Sequence, residues 1–152
     1  IIISEKAIAD GIRKTRNPAR CEVVSEKPLV ILDGCHNEDS ARALCSVMEK
    51  HLKDKKITAI MGMMADKDID KVLSMMMPYF DKVYTVTPSN PRAMSREELC
   101  EKIKKHGIQA VSYELNKDSV YKIIESMNED EVLIVCGSLY LCSDVYNMIV
   151  HN

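Results

Sequence analysis

The side chains of this 152-residue sequence that are equipped for chemistry gather in four short segments. Asp33-Gly34-Cys35-His36-Asn37 places a carboxylate, a thiol and an imidazole within five residues, and Asp66-Lys67-Asp68 alternates charge. Thr87-Pro88-Ser89-Asn90-Pro91-Arg92-Ala93 carries an arginine between prolines, and Gly137-Ser138-Leu139-Tyr140-Leu141 opens on a hydroxyl. An imidazole takes or gives a proton near neutral pH. A guanidinium grips a carboxylate with two parallel N–H groups, a fit that lysine does not reproduce. A serine opening a helix sits beside free backbone N–H groups that favour an anion. Each segment also has a plainer use: Asn37 as a helix cap, Asp66 or Asp68 as the cap of the next helix, Pro88 and Pro91 as loop shapers. An acid, an imidazole, an arginine and a serine on one rim nevertheless make a polar edge that a scaffold does not need. Cys35 beside His36 is not read as a nucleophile and its base, because adjacent residues rarely aim at one point and no third group is evident.

The elements that would bring these segments together are legible in the periodicity. Leu29–Leu32, Ile57–Met61, Val83–Val86 and Val132–Cys136 are short, nearly continuous apolar runs, as expected of strands covered on both faces. Helical stripes alternate with them: Ala41, Leu44, Cys45, Met48 and Leu52, then Ile69, Val72, Leu73, Met76 and Met77. Ser95-Arg96-Glu97-Glu98 reads as a capping box opening a third helix that stops at Gly107. Asn116 and Asp118 open a fourth, with Val120, Tyr121, Ile124 and Met127 inward, and residues 138–150 form a final, well-buried helix. A short strand is expected near Ala110–Tyr113, and Arg20–Ser25 reads as an antiparallel addition ahead of the first core strand. The fold class is therefore α/β: a Rossmann-like three-layer sandwich on a mostly parallel sheet with an antiparallel N-terminal strand. In such sheets ligands bind beyond the carboxyl ends of the strands, and all four segments follow a strand directly.

Composition bounds the rest. With 46% hydrophobic and 29% charged residues and a net charge of -2, the chain has the make-up of a globular domain and no basic footprint for nucleic acid. The apolar run Val132–Cys142 is far short of the ~18 residues that span a bilayer, so no membrane partner is expected. The six cysteines form no C-x-x-C pair and sit among apolar residues, as reduced core thiols of a cytoplasmic protein would. The ten methionines read as core filler. The five glycines are too scattered for either nucleotide-binding glycine loop. Residues 3–14 read as a helix ending at the Asn17-Pro18 break, and Ile1-Ile2-Ile3 in place of an initiator methionine suggests a piece of a longer protein. The expected division is residues 1–16 as the tail of a preceding domain and 17–152 as the domain itself.

The segments, taken in order, resemble the successive motifs of folylpolyglutamate synthases and bifunctional dihydrofolate synthases. Ile31-Leu32-Asp33-Gly34-Cys35-His36-Asn37, Asp66-Lys67-Asp68, Pro88-Ser89-Asn90-Pro91-Arg92-Ala93 and Gly137-Ser138-Leu139-Tyr140-Leu141 carry the likeness. Upstream, Asn17-Pro18-Ala19-Arg20-Cys21-Glu22 is similar to a Pro-Gly-Arg-Phe-Glu motif, with Ala19 in place of Gly and Cys21 in place of Phe. Cys35 stands where the family has alanine, and Glu38 where it has proline. The resemblance implies the C-terminal domain shared with the Mur ligases, closing over a central ATPase domain that carries the phosphate loop and Mg²⁺. It implies ATP, folate and L-glutamate as substrates: ATP converts a folate carboxylate to an acyl phosphate, and the glutamate amine displaces phosphate. The chain alone is expected to be inactive.

Matched position by position, the resemblance puts Arg20 and Asp33 on the nucleotide, Asp33 through a ribose hydroxyl or by partnering Arg20. His36, Arg92 and Ser138 fall around the incoming glutamate, with Lys67 a further cation on the rim. His36 either accepts a proton from the attacking amine or, as a neutral imidazole, hydrogen-bonds the acyl phosphate. The alternatives are a Mur-type peptidoglycan ligase domain, which Asn90-Pro91-Arg92 also fits, and a non-catalytic receiver- or flavodoxin-like binding module.

Overall fold

The computed structural model describes residues 6, 17–66 and 68–150. The helix expected at residues 3–14, Lys6 apart, and Lys67 lie outside them. Six strands form one sheet: β1 (Glu22–Glu26), β2 (Leu29–Asp33), β3 (Ile57–Met61), β4 (Lys82–Thr85), β5 (Gln109–Ser112) and β6 (Val132–Cys136), in the order β1-β2-β6-β3-β4-β5. β1 runs antiparallel to β2, with a register shift between Val23 and Ser25, and every other pair is parallel. The expected strands are present, with boundaries moved by one or two residues at β1, β2, β4 and β5.

Period-two alternation explains why the central strands read as unbroken apolar runs. Ile31, Ile57, Ala59, Met61, Ile134 and Cys136 face one core, shared with α1 (Glu38–His51), α2 (Ile69–Met76) and α3 (Arg96–Lys104). Val30, Leu32, Ile60, Leu133 and Val135 face the other, shared with α4 (Lys117–Glu125) and α5 (Leu139–Val150). These are the three layers of the sandwich.

The helix starts follow local hydrogen-bond chemistry. Asn37 caps α1 through the Ser40 amide at 2.9 Å, and Ser40 closes the reciprocal bond of a capping box. Asn116 caps α4 in the same way, through the amide of Ser119. Ser95 caps α3, but only the Ser95 half of the expected box forms. Asp68 stands at the N-cap of α2 without capping it; its carboxylate pairs with Lys71 at 3.1 Å, which also reaches Glu38. Neither Asp66 nor Asp68 is thus a side-chain cap. Nor is the final helix buried throughout: Leu141, Cys142 and Val145 are, whereas Leu139 and Tyr140, at its start, are nearly half exposed on the rim. All six cysteines are unpaired thiols, five of them buried.

Candidate functional site

The four segments converge at the carboxyl ends of β2, β3, β4 and β6. Backbone crowding there demands glycine. At Gly137, φ is 107° and an added Cβ would lie 2.6 Å from the Gly62 carbonyl, while at Gly34 it would run into the Leu139 side chain.

Asp33, the last residue of β2, is only 6% exposed. One carboxylate oxygen accepts from the Cys35 amide at 2.9 Å; the other accepts from the Cys21 amide at 2.9 Å and the Cys21 thiol at 3.3 Å. The Gly34 amide adds a 2.7 Å bond to the Ala19 carbonyl. Asp33 does not pair with Arg20, as the resemblance allowed. It holds the main chain on either side of it, and Arg20 stands exposed between two residues in the left-handed region, Ala19 at φ 53° and Cys21 at φ 47°. The position where the resemblance expected glycine is thus one whose conformation favours glycine.

The imidazole of His36 is oriented by its own turn. Nδ1 lies 2.9 Å from the Gly34 carbonyl oxygen, which fixes the neutral ring's proton on Nδ1 and leaves Nε2 as its acceptor. The His36 amide donates to Ser40 Oγ at 3.1 Å, so the cap of α1 also positions this residue.

Arg92 is placed by two loops that pair with each other. The Ala65 amide donates to the Arg92 carbonyl at 2.9 Å and the Met94 amide to Met63 at 2.8 Å, while Met64 bridges Ala93. Asn90 Oδ1 accepts from the Arg92 amide at 2.9 Å. Among the described residues the guanidinium makes one hydrogen bond, Nη1 to Asp66 Oδ2 at 3.1 Å. Ser138 is buried and caps α5, its hydroxyl oxygen accepting from the Leu141 amide at 3.0 Å.

His36, Arg92 and Ser138 therefore line one cleft, of about 140 Å³, together with Met64, Leu139 and Tyr140. Arg20 and Asp33 do not line it. Beneath the site are neutral thiols: burial and the neighbouring Asp33 charge push the Cys21 thiol up to about 12, and burial does the same to Cys142. Sequence reasoning missed Asp66 as the partner of Arg92 and Cys21 as the partner of Asp33. The opposite charges in loops after adjacent strands were the only signal for the first.

The profile of the Mur ligase glutamate ligase domain matches residues 19–139. The chain belongs to that family. Within the Mur ligase family, its relatives include the folylpolyglutamate synthase of Lacticaseibacillus casei, 33% identical over 147 residues that span 94% of this chain and 32% of that protein. Escherichia coli FolC, solved with DHPP and ADP, superposes with a TM-score of 0.88 at 30% identity over 98% of this chain and 35% of that one. The bifunctional folylpolyglutamate/dihydrofolate synthase solved with Mn, AMPPNP and L-glutamate bound matches at TM-score 0.82 and 30% identity, over 96% of this chain and 35% of that one. The chain spans about a third of the length of these relatives.

Proposed function

We propose that residues 17–152 are the C-terminal, glutamate-handling domain of a cytoplasmic ATP-dependent ligase that joins L-glutamate to a folate, residues 1–16 being the tail of its ATPase domain. The observation that carries this reading is the meeting of His36, Arg92 and Ser138 in one cleft at the strand ends. Relatives solved with ADP, or with AMPPNP and L-glutamate, support the substrate classes. The unpaired thiols accord with a reducing compartment.

The chemistry has two steps. A folate carboxylate oxygen attacks the γ-phosphorus of ATP, giving an acyl phosphate and ADP; the glutamate nitrogen then attacks the acyl carbon, the C–O bond breaks, and phosphate leaves as the amide forms. Divalent metal, when bound, supplies charge neutralisation on the phosphates. No cluster of three His, Cys, Asp or Glu residues suited to a metal exists among the described residues, so its ligands are assigned to the preceding domain. This domain contributes the glutamate side. The Arg92 guanidinium holds one glutamate carboxylate and the N-terminal amides of α5 the other. The Nε2 of His36, left as the acceptor by the Nδ1 hydrogen bond to the Gly34 carbonyl, takes the proton that the attacking amine must lose. The apolar flank of Met64, Leu139 and Tyr140 excludes the water that would hydrolyse the acyl phosphate. Arg20, exposed at the domain's first turn, reaches the nucleotide, and Asp33 acts there by fixing the Arg20 turn.

The test is steady-state kinetics of the full-length protein with glutamate and ATP varied separately. Arg92→Ala should raise the glutamate KM by tenfold or more, for the loss of a charged contact of roughly 1.5–3 kcal/mol, and Ser138→Ala should do less. A rise confined to the ATP KM would put these residues on the nucleotide and sink the reading.

A further inference from the structure

Resting on the reading of the cleft as a glutamate site, we infer that Asp66 is a positioning residue for Arg92 and, through it, a determinant of which amino acid the cleft accepts. The backbones of the two residues are fixed relative to each other, because Met63–Ala65 and Arg92–Met94 are tied by main-chain hydrogen bonds. The Arg92 side chain is not fixed by packing, being 60% exposed. Its only side-chain partner among the described residues is Asp66 Oδ2, 3.1 Å from Nη1. A guanidinium offers five N–H donors in a planar fork, so this single contact selects a rotamer and leaves most of the fork open. The open donors belong to a side chain that lines the same cleft as His36 and Ser138. An arginine already held at the rim loses less rotamer freedom when a carboxylate arrives. With Arg92 on the side-chain carboxylate and the α5 amides on the α-carboxylate, that gain goes to a charged side chain and not to its amide isostere, so Asp66 sharpens the choice of glutamate over glutamine. Substitution at Asp66 leaves the loop pairing intact, since the pairing uses main-chain atoms alone.

The experiment uses the full-length protein with Asp66→Asn, Asp66→Glu, Arg92→Ala and the Asp66→Asn/Arg92→Ala double variant, with glutamate and glutamine as acceptors. Asp66→Asn should raise the glutamate KM about two- to fivefold, the upper range of an exposed ion pair. The kcat, the ATP KM and the thermal midpoint should stay near the parent's, and the glutamate-over-glutamine preference should fall by a similar factor. Asp66→Glu should restore part of both, and Asp66→Asn should add nothing once Arg92 is alanine. If Arg92→Ala raises the glutamate KM while Asp66→Asn leaves it unchanged, or if the two effects add in full, the positioning role is wrong although the cleft reading stands. If Arg92→Ala does not move the glutamate KM, the cleft reading fails and takes this inference with it.

Discussion

The carboxylate of Asp33 accepts the backbone N–H of Cys21 at 2.9 Å, twelve residues away in sequence, and so ties the first turn of the domain to the strand end from which His36 departs. The same carboxylate holds the Cys35 amide. The residue that the resemblance puts on the nucleotide also clamps two turns of the main chain, at Cys21 and at Cys35.

Asp33→Ala should leave both amides without their acceptor and cost about 1–3 kcal/mol. Urea unfolding measures it. In the full-length enzyme the variant should also weaken ATP use through the released Arg20 turn, and an unchanged ATP KM at a reduced unfolding midpoint would confine Asp33 to stability.

Ala19 offers a conformational test. At φ 53° a β-branched side chain is strained, so Ala19→Val should destabilise by about 1–3 kcal/mol. In Ala19→Gly, relief of the left-handed strain opposes the loss of a buried methyl, and the net change should stay within about 1 kcal/mol. Thermal melts of the pair check the contrast; equal destabilisation by Val and Gly would contradict it.

Gly137→Ala should be the most damaging single-atom addition on the rim. Strain at φ 107° and the 2.6 Å approach to a backbone carbonyl act together, for at least about 2 kcal/mol. Gly107→Ala, with a positive φ but open space, should lose less.

The thiols give a pH dependence. Cys21 and Cys142 titrate near 12 and Cys45 near 11 in the fold, above their ordinary value of 9.0. The folded state therefore keeps protons that the unfolded chain releases, so their contribution to stability is intact below about pH 9 and falls as pH rises toward 12. At pH 8 a thiol titrating near 12 holds about a thousandfold less thiolate than an unperturbed one. A disulfide exchange reagent should consequently label the native protein slowly and all six cysteines promptly in urea; rapid labelling of a buried thiol in the native state would contradict this.

The legible parts of the molecule were those set by local spacing. Ile57–Met61 and Val132–Cys136 are strands over the ranges that their apolar runs predict, since a central strand between two cores has no polar face to confuse the pattern. Asn37 and Asn116 announce their helices because a cap is a contact over three residues. Leu139 and Tyr140 are exposed where an apolar run predicts burial: composition marks the helix as apolar but not which of its first residues face the rim rather than the core. The convergence of His36, Arg92 and Ser138 followed from each segment coming after a parallel strand. The partners of those side chains did not follow, because Asp66 with Arg92 and Cys21 with Asp33 depend on how separate loops lie against one another. A spacing of 26 or 12 residues carries no periodic signal.

The register shift in β1 bears on how the domain behaves in solution. A regular outer strand presents an even row of amides and carbonyls on which another chain can add, the usual start of edge-to-edge association. Between Val23 and Ser25 that row is broken by the register shift, and such an irregularity disrupts the even spacing an incoming segment would need. At the opposite margin β5 is only four residues long. Both outer strands are thus poor templates, and the sheet is protected against growth into a larger one by its backbone alone.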